Sequence, residues 1–191
     1  MRFLLVALMM LASGCASAAA QMQPQPAAAP SYRGPDLATQ RAAIERLSSL
    51  VGQWSGTADL EFPAQRTIYQ TERVERSADG LLLFIHGAGY ADAGHSGDPV
   101  FRAFGVISYD DQRQIYEIRA YNEGRAVTAE ARFLDHGRFQ WTMNFSPVIV
   151  RYTLTIEDSR WREVGEMSRD AGATWTRTIE IDLARAEANA R

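Results

Sequence analysis

From Trp54 almost to the C-terminus, apolar and polar residues alternate with a period of two, and turn-forming residues interrupt the alternation at short, even spacing. No other feature constrains the fold as much. A period of two places successive side chains on opposite faces of a strand. Short, even spacing leaves no room for the crossover helices that parallel strands need, so every pairing must be antiparallel.

The first strand carries Trp54, Gly56, Ala58, Leu60 and Phe62 on one face, and Pro63 ends it. The second runs from about Thr67 to Arg76, and Ala78-Asp79-Gly80 supplies the Asp-Gly hairpin signal. The third is Leu81 to Tyr90, where Gly87 and Gly89 mark a bend or a close approach. Beyond the longest gap, Ala91 to Pro99, come Val100 to Tyr109, Gln114 to Tyr121, Ala126 to Leu134, Arg138 to Phe145, Val148 to Ile156 and Trp161 to Ser168. The last strand places Trp175, Arg177, Ile179, Ile181 and Leu183 on one face. A meander of this length closes rather than leave two edges unpaired. The expected fold is therefore all-β: an up-and-down antiparallel β-barrel of about ten strands.

Ahead of Trp54 the period is nearer 3.6. Pro35 and Asp36 suit a helix start, Leu37, Ile44, Leu47 and Val51 form an apolar stripe, and Gly52 is a natural stop. This short N-terminal helix is expected to cap one end of the barrel. Barrel and helix together span residues 36–187.

The N-terminus reads as an export signal over residues 1–20. Met1-Arg2 precedes an apolar run, Phe3 to Ala12, too short to span a bilayer. Leu11-Ala12-Ser13-Gly14-Cys15 is similar to a bacterial lipobox, with Ala12 where leucine is commoner. Two outcomes stay open: Cys15 becomes the lipidated N-terminus, or cleavage falls after Ala18 or Ala20. Either places the domain in the cell envelope, lipid-anchored or periplasmic. Residues 16–35 are Ala/Pro/Gln-rich, a spacer with little to bury.

Composition narrows the chemistry. The chain has 191 residues, one cysteine (Cys15) and 20 basic residues, all arginine. There is no internal disulfide, no thiolate cluster and no lysine Schiff base. A net charge of −3 with scattered arginines gives no nucleic-acid surface. There is no Gly-x-Ser-x-Gly motif. His95 with Asp92 and Asp98 in the long loop could gather a cation, but such loops are commonly just solvated, and no metal site is assigned. No catalytic residue is assigned either.

Leu50-Val51-Gly52-Gln53-Trp54 at the start of the first strand resembles the Gly-x-Trp of the lipocalins and the wider calycin group. Trp161-Arg162-Glu163-Val164-Gly165-Glu166-Met167-Ser168, with Asp79-Gly80, Tyr109-Asp110, Trp175 and Leu183-Ala184-Arg185, resembles a bacterial family of lipocalin-like barrels of unknown function. The resemblance covers about residues 45–185. It implies structural roles for Trp54 at the closed end and for Arg185 lying on it. It supplies no catalytic residue and no cofactor. Haem-binding barrels of the nitrobindin type carry their ligand histidine near the C-terminus, and no histidine follows His136 here.

The candidate ligand-binding residues are the aromatics Trp141, Tyr152, Trp161 and Trp175, with Arg119, Tyr121 and Arg177 as polar anchors. Glu117, Arg119 and Tyr121 share one face of the fifth strand, and the pattern leaves open whether that face points inward. Glu163 and Glu166 fall on opposite faces and cannot pair. Three functions compete. The first is a barrel holding a small hydrophobic or amphipathic ligand. The second is a filled barrel that is structural or binds a protein. The third is a small-molecule enzyme. An internal cavity with inward Arg and Tyr favours the first, a packed interior the second, and two inward titratable groups within reach of each other the third. Membrane contact is expected only through the lipid anchor. The oligomeric state is left open.

Overall fold

The computed structural model of the protein describes residues 34–157 and 159–186. The expected signal segment, Cys15 and most of the expected spacer lie outside the described residues. The elements are α1 (Leu37–Glu45), a 3-10 turn (Ser48–Leu50), β1 (Gly52–Leu60), β2 (Arg66–Arg76), β3 (Leu83–Tyr90), β4 (Phe101–Asp110), β5 (Ile115–Asn122), β6 (Arg125–Phe133), β7 (Arg138–Phe145), β8 (Val148–Ile156), β9 (Arg160–Ser168) and β10 (Thr176–Arg185). Each strand pairs antiparallel with its sequence neighbours, and β1 pairs with β10 from Trp54↔Arg185 to Leu60↔Ile179. The result is a closed ten-stranded up-and-down barrel with no free edge.

The helix is shorter than its apolar stripe suggests. Asp36 caps it, accepting from the Thr39 N–H at 3.1 Å. It ends at Glu45, where the amides of Arg46 and Leu47 turn to the carbonyls three residues back. The chain then drops inward, so that Ile44, Leu47 and Leu50 are all buried while Leu37 is 40% exposed. The helix is tied down by Tyr116, whose hydroxyl donates to the Ala43 carbonyl at 2.9 Å, by Gln40 on Asp111, and by an Arg76–Glu45 ion pair.

Beneath it lies the closed end of the barrel. Trp54 is 1% exposed, donates from Nε1 to the Leu50 carbonyl at 2.8 Å and meets Trp161 edge-on at 6.0 Å between ring centroids. The Arg185 guanidinium lies 4.3 Å above the Trp54 ring and donates to the carbonyls of Val51 and Ser49. Val74, Leu83, Ile107, Tyr116, Phe139, Leu154 and Leu183 complete this layer. Gly52 is glycine for two reasons: its φ is +136°, and a Cβ there would sit 2.6 Å from an Arg185 nitrogen.

Gly56 sets how tightly the barrel closes. A Cβ on it would lie 2.1 Å from the Asp182 carbonyl oxygen and 2.9 Å from the Leu183 Cα, both backbone atoms of β10. Backbone cannot rotate aside as a side chain can. Gly56→Ala is expected to spread the β1–β10 seam and cost about 2 kcal/mol or more in denaturant unfolding. A loss under about half a kcal/mol would show that the seam yields freely.

Candidate functional site

Strand β2 turns Ile68, Gln70, Glu72 and Val74 inward, opposite Ala58, Gly56, Trp54 and Gly52 of β1. Two of the four are polar, which the alternation in the sequence does not flag. Three strands away round the barrel, β9 turns Trp161, Glu163 and Gly165 inward. Glu72 is 8% exposed and Glu163 is 7% exposed, so the barrel buries two carboxyl groups just above its apolar closed end. Among the described residues the other buried polar side chains are Gln70 and Ser168, and no arginine is buried with them.

The local geometry keeps the carboxyls in place. Gln70 donates from Nε2 to Glu72 Oε1 at 2.7 Å, and Trp161 donates from Nε1 to Glu163 Oε2 at 3.2 Å. Glu72 Oε2 is buried and has no hydrogen-bond partner. Gly87 faces Glu72 across the β2–β3 ladder, where an added Cβ would come within 2.8 and 3.0 Å of its two oxygens. Gly165 makes the matching space on β9: a Cβ there would lie 2.5 Å from Ile179 and 2.7 Å from Tyr152.

Burial dominates the electrostatics. It pushes the Glu72 carboxyl up to about 7, against the Gln70 hydrogen bond. Glu163 is pushed up to about 8, first by burial and then by the charge of Glu72, with the Trp161 N–H pulling the other way. The Tyr152 phenol is raised to about 12 by burial and then by Glu163. Two acids share one low-dielectric space with no cation beside them, so near neutrality both can hold protons. Such a group can donate, accept or exchange a proton at physiological pH.

Above this floor the packing is looser on the β7–β8 side. Trp141 stacks on Tyr152 at 5.4 Å and 11°, and both are only partly buried although they point inward. Met143, Val150, Met167, Leu60 and Ile179, nearer the far end, are also partly exposed. Phe101 and Phe145 stand at that rim 37% and 54% exposed, and Phe62 in the β1–β2 loop is 51% exposed. The helix end is fully packed; toward the other end Ala58, Ile68 and Ile181 stay buried while inward side chains of β7 and β8 are partly exposed, with aromatic residues round the rim.

Three of the expected anchors do not face this interior. Strand β5 turns Tyr116 and Ile118 inward, which puts Arg119 and Tyr121 outside. There Arg119 pairs with Glu117, and Tyr121, 46% exposed, stacks on Phe104. Apolar side chains and the Tyr116 bond to the helix decide the face. Arg177 is displaced by a β-bulge: Glu166 pairs with Arg177 but Gly165 pairs with Ile179, so Thr178 is an extra residue and the faces swap. Arg177 therefore points out, bonded to Glu61 and Glu180. Trp175, expected on the inner wall, also lies outside: it precedes the bulge and sits under the guanidinium of Arg151 at 3.8 Å, its Nε1 donating to the Gly172 carbonyl. Trp141, Tyr152 and Trp161 point inward.

The C-terminal motif thereby acquires a physical meaning. Trp161, Glu163 and Gly165 build the interior, Glu166 pairs outside with Arg151 at 2.8 Å, and Ser168 donates to Asp170 at 2.8 Å while accepting from the Gly172 amide. Glu163 and Glu166 do lie on opposite faces; the acid facing Glu163 comes from β2, far away in sequence. The sequence offered one partial signal, that Glu163 shares its parity with Trp161; on β2 neither face is plainly apolar, so nothing marked Glu72 as inward.

Two other places hold less chemistry. A groove of about 560 Å³ runs between α1 and the β4–β7 end, lined by Arg46, Tyr109, Tyr116, Arg132, Phe133 and His136 among others. Arg46 already lies 3.9 Å over Phe133. In the long loop, Asp92 accepts from Gly94 and Ser96 of its own turn, and His95 packs on Tyr90.

No family model matches the chain, and no curated protein matches it. Solved structures do. Rv2717c from M. tuberculosis is 13% identical with a TM-score of 0.56, over 76% of this chain and 98% of that one. The S-type phycobiliprotein lyase CPES from Guillardia theta is 9% identical with a TM-score of 0.56, over 81% of this chain and 99% of that one. Both are lipocalin-like barrels, and this chain shares their fold.

Proposed function

We propose that the protein binds a small hydrophobic or amphipathic molecule through the open end of its barrel. One observation carries the reading: inward-facing apolar side chains at one end are left partly exposed above a polar floor. Each methylene that such walls shelter from water contributes about 0.8 kcal/mol. The exposed Phe62, Phe101 and Phe145 give an apolar path to the mouth. Trp141 and Tyr152 form the wall, and Glu72, Gln70 and Glu163 form the floor.

The same two carboxyls favour a second reading, proton transfer on the bound molecule, because groups that titrate near neutrality suit general acid and base work. That one similar fold is by name a phycobiliprotein lyase supports keeping a reaction in view beside binding.

On location, the apolar run and the Ala-Ser-Gly-Cys15 segment support an exported, envelope protein, and the C-terminal motif supports placing it with the bacterial lipocalin-like barrels of unknown function. Labelled palmitate is expected to enter the wild type and not Cys15→Ala. Label-free wild type would end the lipoprotein reading.

The binding reading is tested by native mass spectrometry of protein isolated from its own host without denaturation. A reproducible added mass, lost on unfolding, is the expected result. A bare polypeptide that also gains nothing from a lipid extract would overturn it.

A further inference from the structure

We propose that the ligand carries a primary amine, with Glu72 and Glu163 as the groups that bind it; this assignment rests on the carrier reading above. The geometry selects the chemistry. Glu72 Oε2 is a buried acceptor with no donor, and Glu163 faces the same space. A protonated amine brings three N–H donors and a positive charge. It would satisfy the open oxygen and place a cation between two acids that repel each other once both are ionised.

The alternatives fit worse. A ligand carboxylate would meet two acids with no buried arginine to receive it. A hydroxyl could donate one hydrogen bond but brings no charge to hold either carboxyl ionised. A quaternary ammonium has no N–H for Glu72 Oε2. The walls agree with an amine on an apolar body: Tyr152 pairs with Gly165, one inward step toward the mouth from Glu163, Trp141 stacks on it, and partly exposed Met143, Val150 and Ile179 continue toward the mouth.

Binding would be coupled to protons. The groups facing Glu72 from neighbouring elements are Trp54 and Gly56 on β1 and Ile85 and Gly87 on β3, none of them titratable. Farther round the barrel stand Glu163 on β9 and Tyr152 on β8, and Tyr152 stays protonated well above neutrality. His86 sits outside, paired with Glu75. When an ammonium enters, a carboxyl that held a proton releases it to solvent and stays behind as carboxylate. Amine affinity should therefore rise with pH while the amine itself, like a lysine, remains protonated to about pH 10.

Decylamine, decanol and decanoate share one tail and differ only in the head group, so titrating each into the full protein by calorimetry separates the possibilities. At about pH 8.5, decylamine is expected to bind at least tenfold more tightly than either analogue, and about tenfold more tightly than at pH 6. Repeating the titration in buffers of different ionisation enthalpy should show proton release. Glu72→Gln and Glu163→Gln keep the shape and should each weaken decylamine about tenfold, with little effect on decanol; thermal unfolding checks that they fold. Decanol or decanoate binding as well as decylamine, or a decylamine affinity flat with pH, would overturn the amine assignment and leave the carrier reading intact. Failure of all three to bind the wild type would overturn both.

Discussion

Thermal unfolding followed from about pH 5 to about pH 9 should show the midpoint falling as pH rises, by about 5 °C or more. Glu72 and Glu163 have folded-state values of about 7 and about 8, above the ordinary 4.5. Between about 4.5 and those values the folded state binds more protons than the unfolded chain. Stability therefore falls with pH over this window, and the loss is complete once both groups are ionised in both states. Each unit of elevation is worth about 1.4 kcal/mol, so even one unit per carboxyl gives the stated shift. On the acid side the slope reverses. Asp170, held at about 2 by Thr174 and Ser168, and Asp36, Asp92 and Asp135, each held down by hydrogen bonds, favour the folded state above their unfolded values and stop doing so as pH falls. The optimum should lie near pH 5. The double variant Glu72→Gln/Glu163→Gln should remove the alkaline decline and keep the acid one. An unchanged decline in that variant would place its cause elsewhere.

Trp54→Ala should be the most damaging single truncation in the chain, costing about 3–5 kcal/mol. The indole is 1% exposed, and its loss would leave a hole beside Leu50 and Trp161 with a bare Leu50 carbonyl. Arg185 would lose the ring it lies on. Against a total of about 5–15 kcal/mol, a loss of this size leaves a visibly unfolded fraction under mild denaturant. Arg185→Ala should cost much less, about 1 kcal/mol for the cation–π contact plus its two hydrogen bonds to carbonyls. Urea unfolding of the two variants beside the wild type checks the order. If Arg185→Ala proved the worse, the guanidinium and not the indole would hold the closed end together.

The barrel was legible because its cause is local. Alternation, the Asp79-Gly80 turn and the short gaps act within a few residues, and antiparallel closure follows once no helix intervenes. The inward faces of β7 and β8 were legible for the same reason: Phe139, Trp141 and Met143, and Val150, Tyr152 and Leu154, are the apolar halves of plain alternations. Strand β5 was not, because both its faces mix polar and apolar residues. There the tie was broken by Tyr116, whose hydroxyl finds the Ala43 carbonyl 73 residues away in sequence. Arg177 was misplaced because a bulge changes parity without changing composition.

By itself, then, the sequence determined the class of fold, its closure, the capping helix and the aromatic inner wall, all consequences of periodicity and turn chemistry. The tertiary structure alone decided the floor of the site. Glu72 and Glu163 are 91 positions apart, and each is unremarkable on its own strand. Only when β2 and β9 are brought to face the same interior do they become two acids sharing one dry space, and only the burial that closure creates lifts both toward neutrality.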